Sequence, residues 1–241
     1  MAAGIAGLIG GNVPRLNPYG RRRRRAPYHD PMCGRIVQAR EVEIYADYFH
    51  VDRIATDPLP PRWNVAPGTD VYSVAEHDDN RLLGTFRWGF IPSWAKDPKI
   101  GYRTINARLE TLDTKPMFRS AFRRRRCLVP ADGFYEWERR PDGKLPHFVH
   151  ASTDDPLPLA GLWSSWTNPE TGARLHSCTI VTGPPNRLVG RLHDRMPVIV
   201  PEELWDRWLD PDYDDTDTLK RLLSRPYPDD ALAEHPVSTL V

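Results

Sequence analysis

The 241 residues suffice for one large domain or two small ones, with a formal net charge of +1 and 40% hydrophobic residues. No apolar run approaches the roughly 18 residues of a membrane span. Three widely spaced cysteines (Cys33, Cys127, Cys178) form no CxxC pair, which argues against a disulfide framework or a zinc site and for a reducing cytoplasm.

Residues 1–31 differ from the rest: Gly/Ala-rich, then Asn/Pro/Gly, then five consecutive arginines, Arg21 to Arg25. They read as a disordered extension, or as a stretch absent from the working protein, because Met32 directly precedes the first structured segment. The mildly apolar start precedes the basic run, the reverse of a signal peptide. Residues 1–32 hold six Arg against one acid, Asp30, so the remainder is net acidic. Any nucleic-acid binding by residues 32–241 must use a local basic surface.

An amphipathic helix is expected over residues 40–49, where Val42, Tyr45, Ala46 and Phe49 share one face. Strands are expected over 71–74, 82–88, 127–129, 148–150, 159–163, 177–181 and 198–200. Turn residues such as Pro67-Gly68, Asp78-Asp79 and Asp142-Gly143 punctuate them. Short helices are expected over 116–123 and 202–209. With 25 Pro and no βαβ alternation, the pattern predicts an α+β fold: a single domain over 32–241, built on a mainly antiparallel, barrel-like sheet with a few short helices.

Chemistry concentrates at a few positions. A lone Cys is more often a small buried hydrophobe than a nucleophile, but Cys33 follows Met32. Methionine is trimmed efficiently before a small residue, and its removal leaves a free α-amine beside a thiol. The amine, with an ordinary pKa near 7.7–8.0, has a substantial neutral fraction at cellular pH. It can form a Schiff base with an aldehyde, which the thiolate then closes to a thiazolidine. Asn106 and Arg108, two residues apart, lie on one side of an extended segment, or else are a turn Asn and a surface Arg. Glu136, among Phe134, Tyr135 and Trp137, is either a desolvated acid/base or a surface Glu with aromatic neighbours. His193 is either a general acid or a capping His at a strand entrance. Trp88, Phe90 and Trp94 are core residues or base-stacking faces beside Arg35, Arg87, Arg103 and Arg108. Arg123 to Arg126 form a solvated face or track phosphates.

Taken in order, these segments resemble the SRAP (SOS response-associated peptidase) family, which includes the HMCES-like abasic site processing proteins. The resemblance rests on Met32-Cys33-Gly34-Arg35, Asn64-Val65-Ala66-Pro67, residues 88–94 and residues 105–111. It continues through Cys127-Leu128-Val129-Pro130-Ala131-Asp132-Gly133-Phe134-Tyr135-Glu136-Trp137, Lys144-Leu145-Pro146, Ala160-Gly161-Leu162-Trp163 and His193-Asp194-Arg195-Met196-Pro197-Val198. It implies that Cys33 forms the crosslink to an abasic site in single-stranded DNA and that Asn106 positions the amine and the sugar. It further implies that Glu136 moves protons during ring opening, and that His193 assists Schiff-base chemistry and crosslink reversal. Arg35, Arg108 and Arg195 are implied contacts to phosphate or to the site's carboxylate, and Trp88 and Phe90 resemble a base-unstacking wedge. No metal or cofactor is implied. The expected partner is single-stranded DNA carrying abasic sites, not a membrane, and the expected form is a cytoplasmic, nucleoid-associated monomer. A self-processing peptidase activity is a further implication. The family pattern begins at Met-Cys, whereas 31 residues precede that Met here. Two other classes remain open: a non-covalent binder of single-stranded or modified-base DNA, and a general cysteine peptidase.

Overall fold

The computed structural model describes residues 34–241. In chain order, β1 (Ile36–Gln38) leads into α1 (Val42–Tyr48), then β2 (Arg53–Ile54), β3 (Arg62–Val65), β4 (Asp70–His77), β5 (Asn80–Trp88) and β6 (Asn106–Arg108). Next come α2 (Arg119–Arg124), β7 (Arg126–Ala131), β8 (Gly133–Arg140), β9 (Gly143–Ala151), β10 (Leu157–Thr167) and β11 (Arg174–Gly183). The chain finishes with β12 (Met196–Pro197), α3 (Trp205–Leu209), α4 (Thr216–Leu223) and β13 (Leu232–Pro236). Among the described residues no helix is long and apolar enough to cross a membrane.

Two sheets organise these elements. One is five-stranded and antiparallel, in the order β13-β9-β8-β1-β3. In the other, β11-β10-β7-β4-β5 follow by antiparallel pairing, and a parallel β5–β11 contact (Cys178 opposite Trp88) closes the ring into a barrel. Closure leaves these five strands without an open edge. β2, β6 and β12 attach to its margins. The barrel-like α+β expectation is met, with the sheet split in two.

Alternation along the barrel strands sends successive side chains to opposite faces. Cys127 and Val129, Leu159, Cys178 and Ile180 join one apolar cluster, which they share with Ile36, Phe134, Val149 and Leu232 of the five-stranded sheet. Leu128, Ala160, Leu162 and Val181 join a second cluster with Tyr45, Phe49, Phe122, Trp205 and Trp208 from the helical elements. α1 contributes Val42, Tyr45 and Ala46 at i, i+3 and i+4. The Asp78-Asp79 turn gives both residues positive φ (51° and 60°), as a two-residue hairpin requires, and Asp tolerates this better than most side chains.

Polar knots tie the sheets together. Gln38 is buried; its Nε2 donates to the Pro130 carbonyl at 2.6 Å, and its Oε1 accepts from the Tyr72 N–H at 3.0 Å. Thus one side chain of β1 bonds both β7 and β4. Asp132 accepts from the Ala39 N–H at 2.7 Å, Arg40 Nε at 2.8 Å and the Tyr45 hydroxyl at 2.9 Å. Gly133 follows because a Cβ there would collide with the Phe148 ring and the Val149 carbonyl.

Four sequence expectations shift. Residues 198–200 are no regular strand: Ile199 makes an isolated bridge to Leu159, although Val198 and Val200 still donate to Val181 and Pro158 at 2.9 Å. The helix expected at 116–123 starts at Arg119, and the one at 202–209 opens as a 3-10 turn before α3. Arg126, expected on a solvated or phosphate-tracking face, is buried. Its guanidinium donates to the carbonyls of Phe122 (2.8 Å), Trp208 (2.5 Å) and Tyr213 (2.9 Å), and to those of Arg123 and Asp210, binding β7 to the chain after α3. Burial lowers its pKa to about 10, which leaves it charged at neutral pH.

Candidate functional site

Glu136 lies in β8, between β1 and β9, and is 2% exposed. β1 is the first described element, and the Tyr135 N–H donates to the Arg35 carbonyl at 3.0 Å. Strand alternation puts Phe134 and Glu136 on one face of β8, with Tyr135 and Trp137 on the other. Phe134 belongs to the cluster shared by both sheets, so the same face that packs the core carries the carboxyl. Tyr135 on the outer face donates its hydroxyl to the Trp63 carbonyl at 2.9 Å, fastening β8 to β3.

That shared cluster also locates the other candidates. Ile105, immediately before Asn106, is a member, and β6 holds Asn106 opposite Ile180 of the same cluster. Leu192, immediately before His193, is another member, and the His193 N–H donates to the Val189 carbonyl at 3.0 Å. Asn106, Glu136 and His193 are distant in sequence, yet each adjoins one apolar body. Cys33 lies outside the described residues; its neighbour Gly34 is buried.

His193 Nδ1 faces the Asp194 carboxylate at 2.9 Å and the Arg195 N–H at 3.2 Å. A neutral Nδ1 accepts from the amide, whereas a protonated one donates to the carboxylate. Either protonation state has a partner, which suits a group that gains and loses protons. Arg195 grips Glu110 at 2.7 and 2.8 Å and donates to the Thr182 carbonyl at 2.7 Å. Its hydrogen bonds hold the Glu110 carboxyl below its usual range. Arg195 therefore clamps β11 to the turn after β6 and contacts a carboxylate other than Glu136. Arg108 is exposed and Arg35 half-buried, its Nη1 donating to the Gly34 carbonyl at 2.9 Å.

Of the two readings left open for Trp88 and Phe90, burial matches the core one and not the wedge that the resemblance implies. Trp88 is 0% exposed, its indole N–H donating to the Ile105 carbonyl at 2.9 Å; Phe90 is buried edge-on against Phe118. Both are core residues, with no face for a base. Among the described residues the exposed Trp, Tyr and Phe rings are Trp63, Trp94 and Tyr102. A cavity of about 300 Å³ lies beside Tyr102, lined also by Arg87, Lys99 and Trp166. A second concavity carries Trp94, Lys96, Lys99 and Arg103. Gly89 makes this region possible: at φ +132°, a Cβ there would stand 2.7 Å from the Gly101 carbonyl oxygen. Trp63 escapes the sequence reading because it sits just before the Asn64-Val65-Ala66-Pro67 motif, and Tyr102 because nothing periodic surrounds it.

Cys127 and Cys178 are buried free thiols. Burial pushes Cys127 well above the ordinary thiol range and Cys178 up to about 12, so neither supplies a thiolate at neutral pH. Among the described residues no group of three or more His, Cys, Asp or Glu is arranged to hold a metal ion.

Comparison with known proteins decides the family. Residues 32–241 match the SOS response associated peptidase (SRAP) family. The chain belongs to it. It is 42% identical over 212 residues to the abasic site processing protein YoqW of Bacillus subtilis, covering 87% of this chain and 94% of that one. It is 32% identical over 214 residues to the abasic site processing protein YedK of Escherichia coli, with the same coverage of 87% and 94%. Among solved structures, a phage-related protein from Bordetella bronchiseptica superposes with a TM-score of 0.65 at 32% identity, covering 85% of this SRAP chain and 94% of the other.

Proposed function

We propose that this SRAP protein captures abasic sites in single-stranded DNA, with Cys33 as an N-terminal residue forming a thiazolidine. One observation carries the reading: a buried carboxyl, Glu136, on the strand beside the start of the described chain. Continuing the β1–β8 register (Ile36 opposite Phe134) puts Gly34, the residue that follows Cys33 in the sequence, opposite Glu136. Asn106 and His193 adjoin the same apolar cluster. The relatives' description as abasic site processing proteins supplies the lesion.

The chemistry follows in balanced steps. The abasic deoxyribose is mostly a closed hemiacetal. Glu136 takes the anomeric hydroxyl proton and returns one to the ring oxygen, opening the ring to the aldehyde. The neutral α-amine of Cys33 adds to the aldehyde carbon, and loss of water gives the imine. His193 protonates the departing hydroxyl. The Cys33 thiolate then adds to the imine carbon while the nitrogen gains a proton, closing the five-membered ring. With residues 1–32 attached the nitrogen is an amide and the imine cannot form. Asn106 orients amine and sugar. Arg35 and Arg108 meet the phosphates, and Trp63, Trp94 and Tyr102 offer the stacking faces that Trp88 and Phe90 do not.

The test compares protein beginning at Cys33 with protein carrying an uncleavable residue before it, both incubated with abasic single-stranded DNA. The first gives an adduct that survives denaturation, and the second does not. Cys33→Ser forms only a transient imine that borohydride traps. A stable adduct from the blocked form overturns the mechanism. Tight binding with no adduct from either form favours a non-covalent binding module instead.

A further inference from the structure

A groove of about 390 Å³ lies where the end of α1, the β9–β10 turn, the stretch before α3 and the stretch before β13 meet. That volume is in the range of ligand-binding clefts, and the groove shares no residue with the candidate site. Tyr48 and Tyr227, both half-buried, line it together with Trp205, against which Tyr48 stands edge-on with ring centroids 5.7 Å apart. The Trp205 indole N–H is taken by the Val200 carbonyl at 2.9 Å, so the ring offers the groove an apolar wall. Pro156, Pro158, Pro201 and Pro228 extend this wall with no N–H to give. Three of their carbonyls are already engaged: Pro158 accepts from the Val200 N–H at 2.9 Å, Pro201 from Leu204 at 2.9 Å and Pro228 from Ala231 at 3.3 Å. The polar groups left for a ligand are chiefly two hydroxyls and a carboxylate rim. The hydroxyls of Tyr48 and Tyr227 make no hydrogen bond among the described residues. Asp155, Glu202 and Glu203 are exposed on the rim, and no Lys, Arg or His lines the groove with them. His50 reaches Glu202 at 3.3 Å, whereas Asp155 and Glu203 make no ion pair among the described residues. Burial, and then the charges of Asp155 and Glu202, push the Tyr48 hydroxyl up to about 12; burial, Asp155 and Glu203 raise that of Tyr227. The acids therefore act on the groove itself and not only on the solvent beside it.

We propose that this groove docks a cationic, proline-containing segment of a partner protein in the polyproline II conformation. Its proline rings lie against Tyr48, Trp205 and Tyr227, and its Arg or Lys side chains lie on Asp155, Glu202 and Glu203. Shape and polarity select this occupant. A polyproline II segment is extended before it binds, so it loses little conformational entropy on an aromatic-lined groove. It brings few N–H groups to a wall whose carbonyls are engaged, and its own carbonyls accept from the two Tyr hydroxyls. Charge excludes the alternatives: the carboxylate rim attracts a cationic segment and repels a nucleic-acid strand or an acidic peptide. The groove is thus a protein-docking surface separate from the DNA chemistry proposed above, and does not depend on it.

The experiment titrates the full chain, and the form beginning at Cys33, with three synthetic peptides. One has a Pro-x-x-Pro core flanked by arginines, the second has glutamates in place of the arginines, and the third has glycines in place of the prolines. The first binds saturably; the second does not bind, and the third binds roughly 10-fold more weakly because its chain must be ordered on binding. Asp155→Lys and Glu203→Lys, both at exposed positions where folding is undisturbed, each weaken the first peptide roughly 5-fold. Tyr227→Ala weakens it roughly 30-fold, as loss of an aromatic anchor does. Binding by neither form of the protein overturns the proposal, as does equal binding of the glycine peptide, which would mark a merely acidic surface. Unaltered affinity in both Lys variants places the peptide elsewhere and also overturns it. Sedimentation covers the remaining occupant: a dimer that Asp155→Lys or Glu203→Lys dissociates assigns the groove to a second copy of the chain instead.

Discussion

At the scale of single residues, the sequence marks which side chains matter better than what they do. Asp132 and Glu136 are two carboxylates four residues apart in one motif. Asp132 is fixed by Ala39, Arg40 and Tyr45 and holds the sheets together, whereas Glu136 stands on the core face next to the start of β1. No pattern separates the two, because the difference arises from strands far away in sequence. Arg126 reads as a solvated or phosphate-tracking residue and Arg195 as a contact to phosphate or to the site's carboxylate, yet their partners are carbonyls and Glu110. The residue with the sharpest consequence is Glu136. Gln keeps its shape and removes its proton chemistry, so Glu136→Gln should slow capture by about 10²–10⁴-fold. DNA affinity should hold or rise, since a negative charge is lost. Single-turnover time courses with parallel binding curves check this, and an unaltered rate would show the carboxyl to be structural.

At the scale of elements, the legible parts are those with one wet face or a strong turn. α1 and the β4–β5 hairpin are read nearly in place, from the 42/45/46 spacing and from Asp78-Asp79. β8, the strand that carries Glu136, hides its period: its first four residues are buried whichever way they point. α4 is missed because an acidic stretch surrounds it, although Asp215 caps it by accepting from the Thr218 N–H at 2.9 Å and Leu219 and Leu223 anchor it. β5 shows how a correct strand still misleads about a side chain. Its last residue, Trp88, reads as either a core residue or a stacking face, and it is sealed by the β5–β11 contact that closes the barrel. Two substitutions separate these roles. Trp88→Ala should cost about 3–5 kcal/mol of folding stability, as large aromatic deletions in cores do. Trp63→Ala, on the exposed edge strand β3, should leave stability within about 0.5 kcal/mol and weaken single-strand binding by about 1–3 kcal/mol. Denaturant unfolding and DNA titration on both variants are the measurements. The reverse outcome would restore Trp88 to the interface.

At the scale of the whole molecule, net charge gives a poor guide to a DNA-binding surface. The chain is nearly neutral, and without residues 1–32 it is acidic, so bulk attraction cannot hold a strand. On the proposed function, binding would come from a few unclamped cations, and the fold determines which those are. Arg126 is buried and Arg195 is locked on Glu110, which removes two obvious candidates. Arg35, Arg87, Arg103 and Arg108 remain half-buried or exposed, two of them lining concavities that also carry Tyr102 or Trp94. Each phosphate neutralised on a single strand contributes about −0.7 to the slope of log affinity against log salt. Four contacts therefore predict a slope near −3, modest for a nucleic-acid binder and independent of the lesion. Arg108→Ala should flatten the slope by about 0.7 and weaken intact and abasic strands alike, whereas Arg195→Ala should act mainly through stability. Titrations of a borohydride-reduced abasic strand, which cannot crosslink, from about 50 to 300 mM salt give the slopes directly. A salt-independent affinity would mean that the strand is held by stacking on Trp63, Trp94 and Tyr102 alone, and the four arginines would then be surface residues without a ligand.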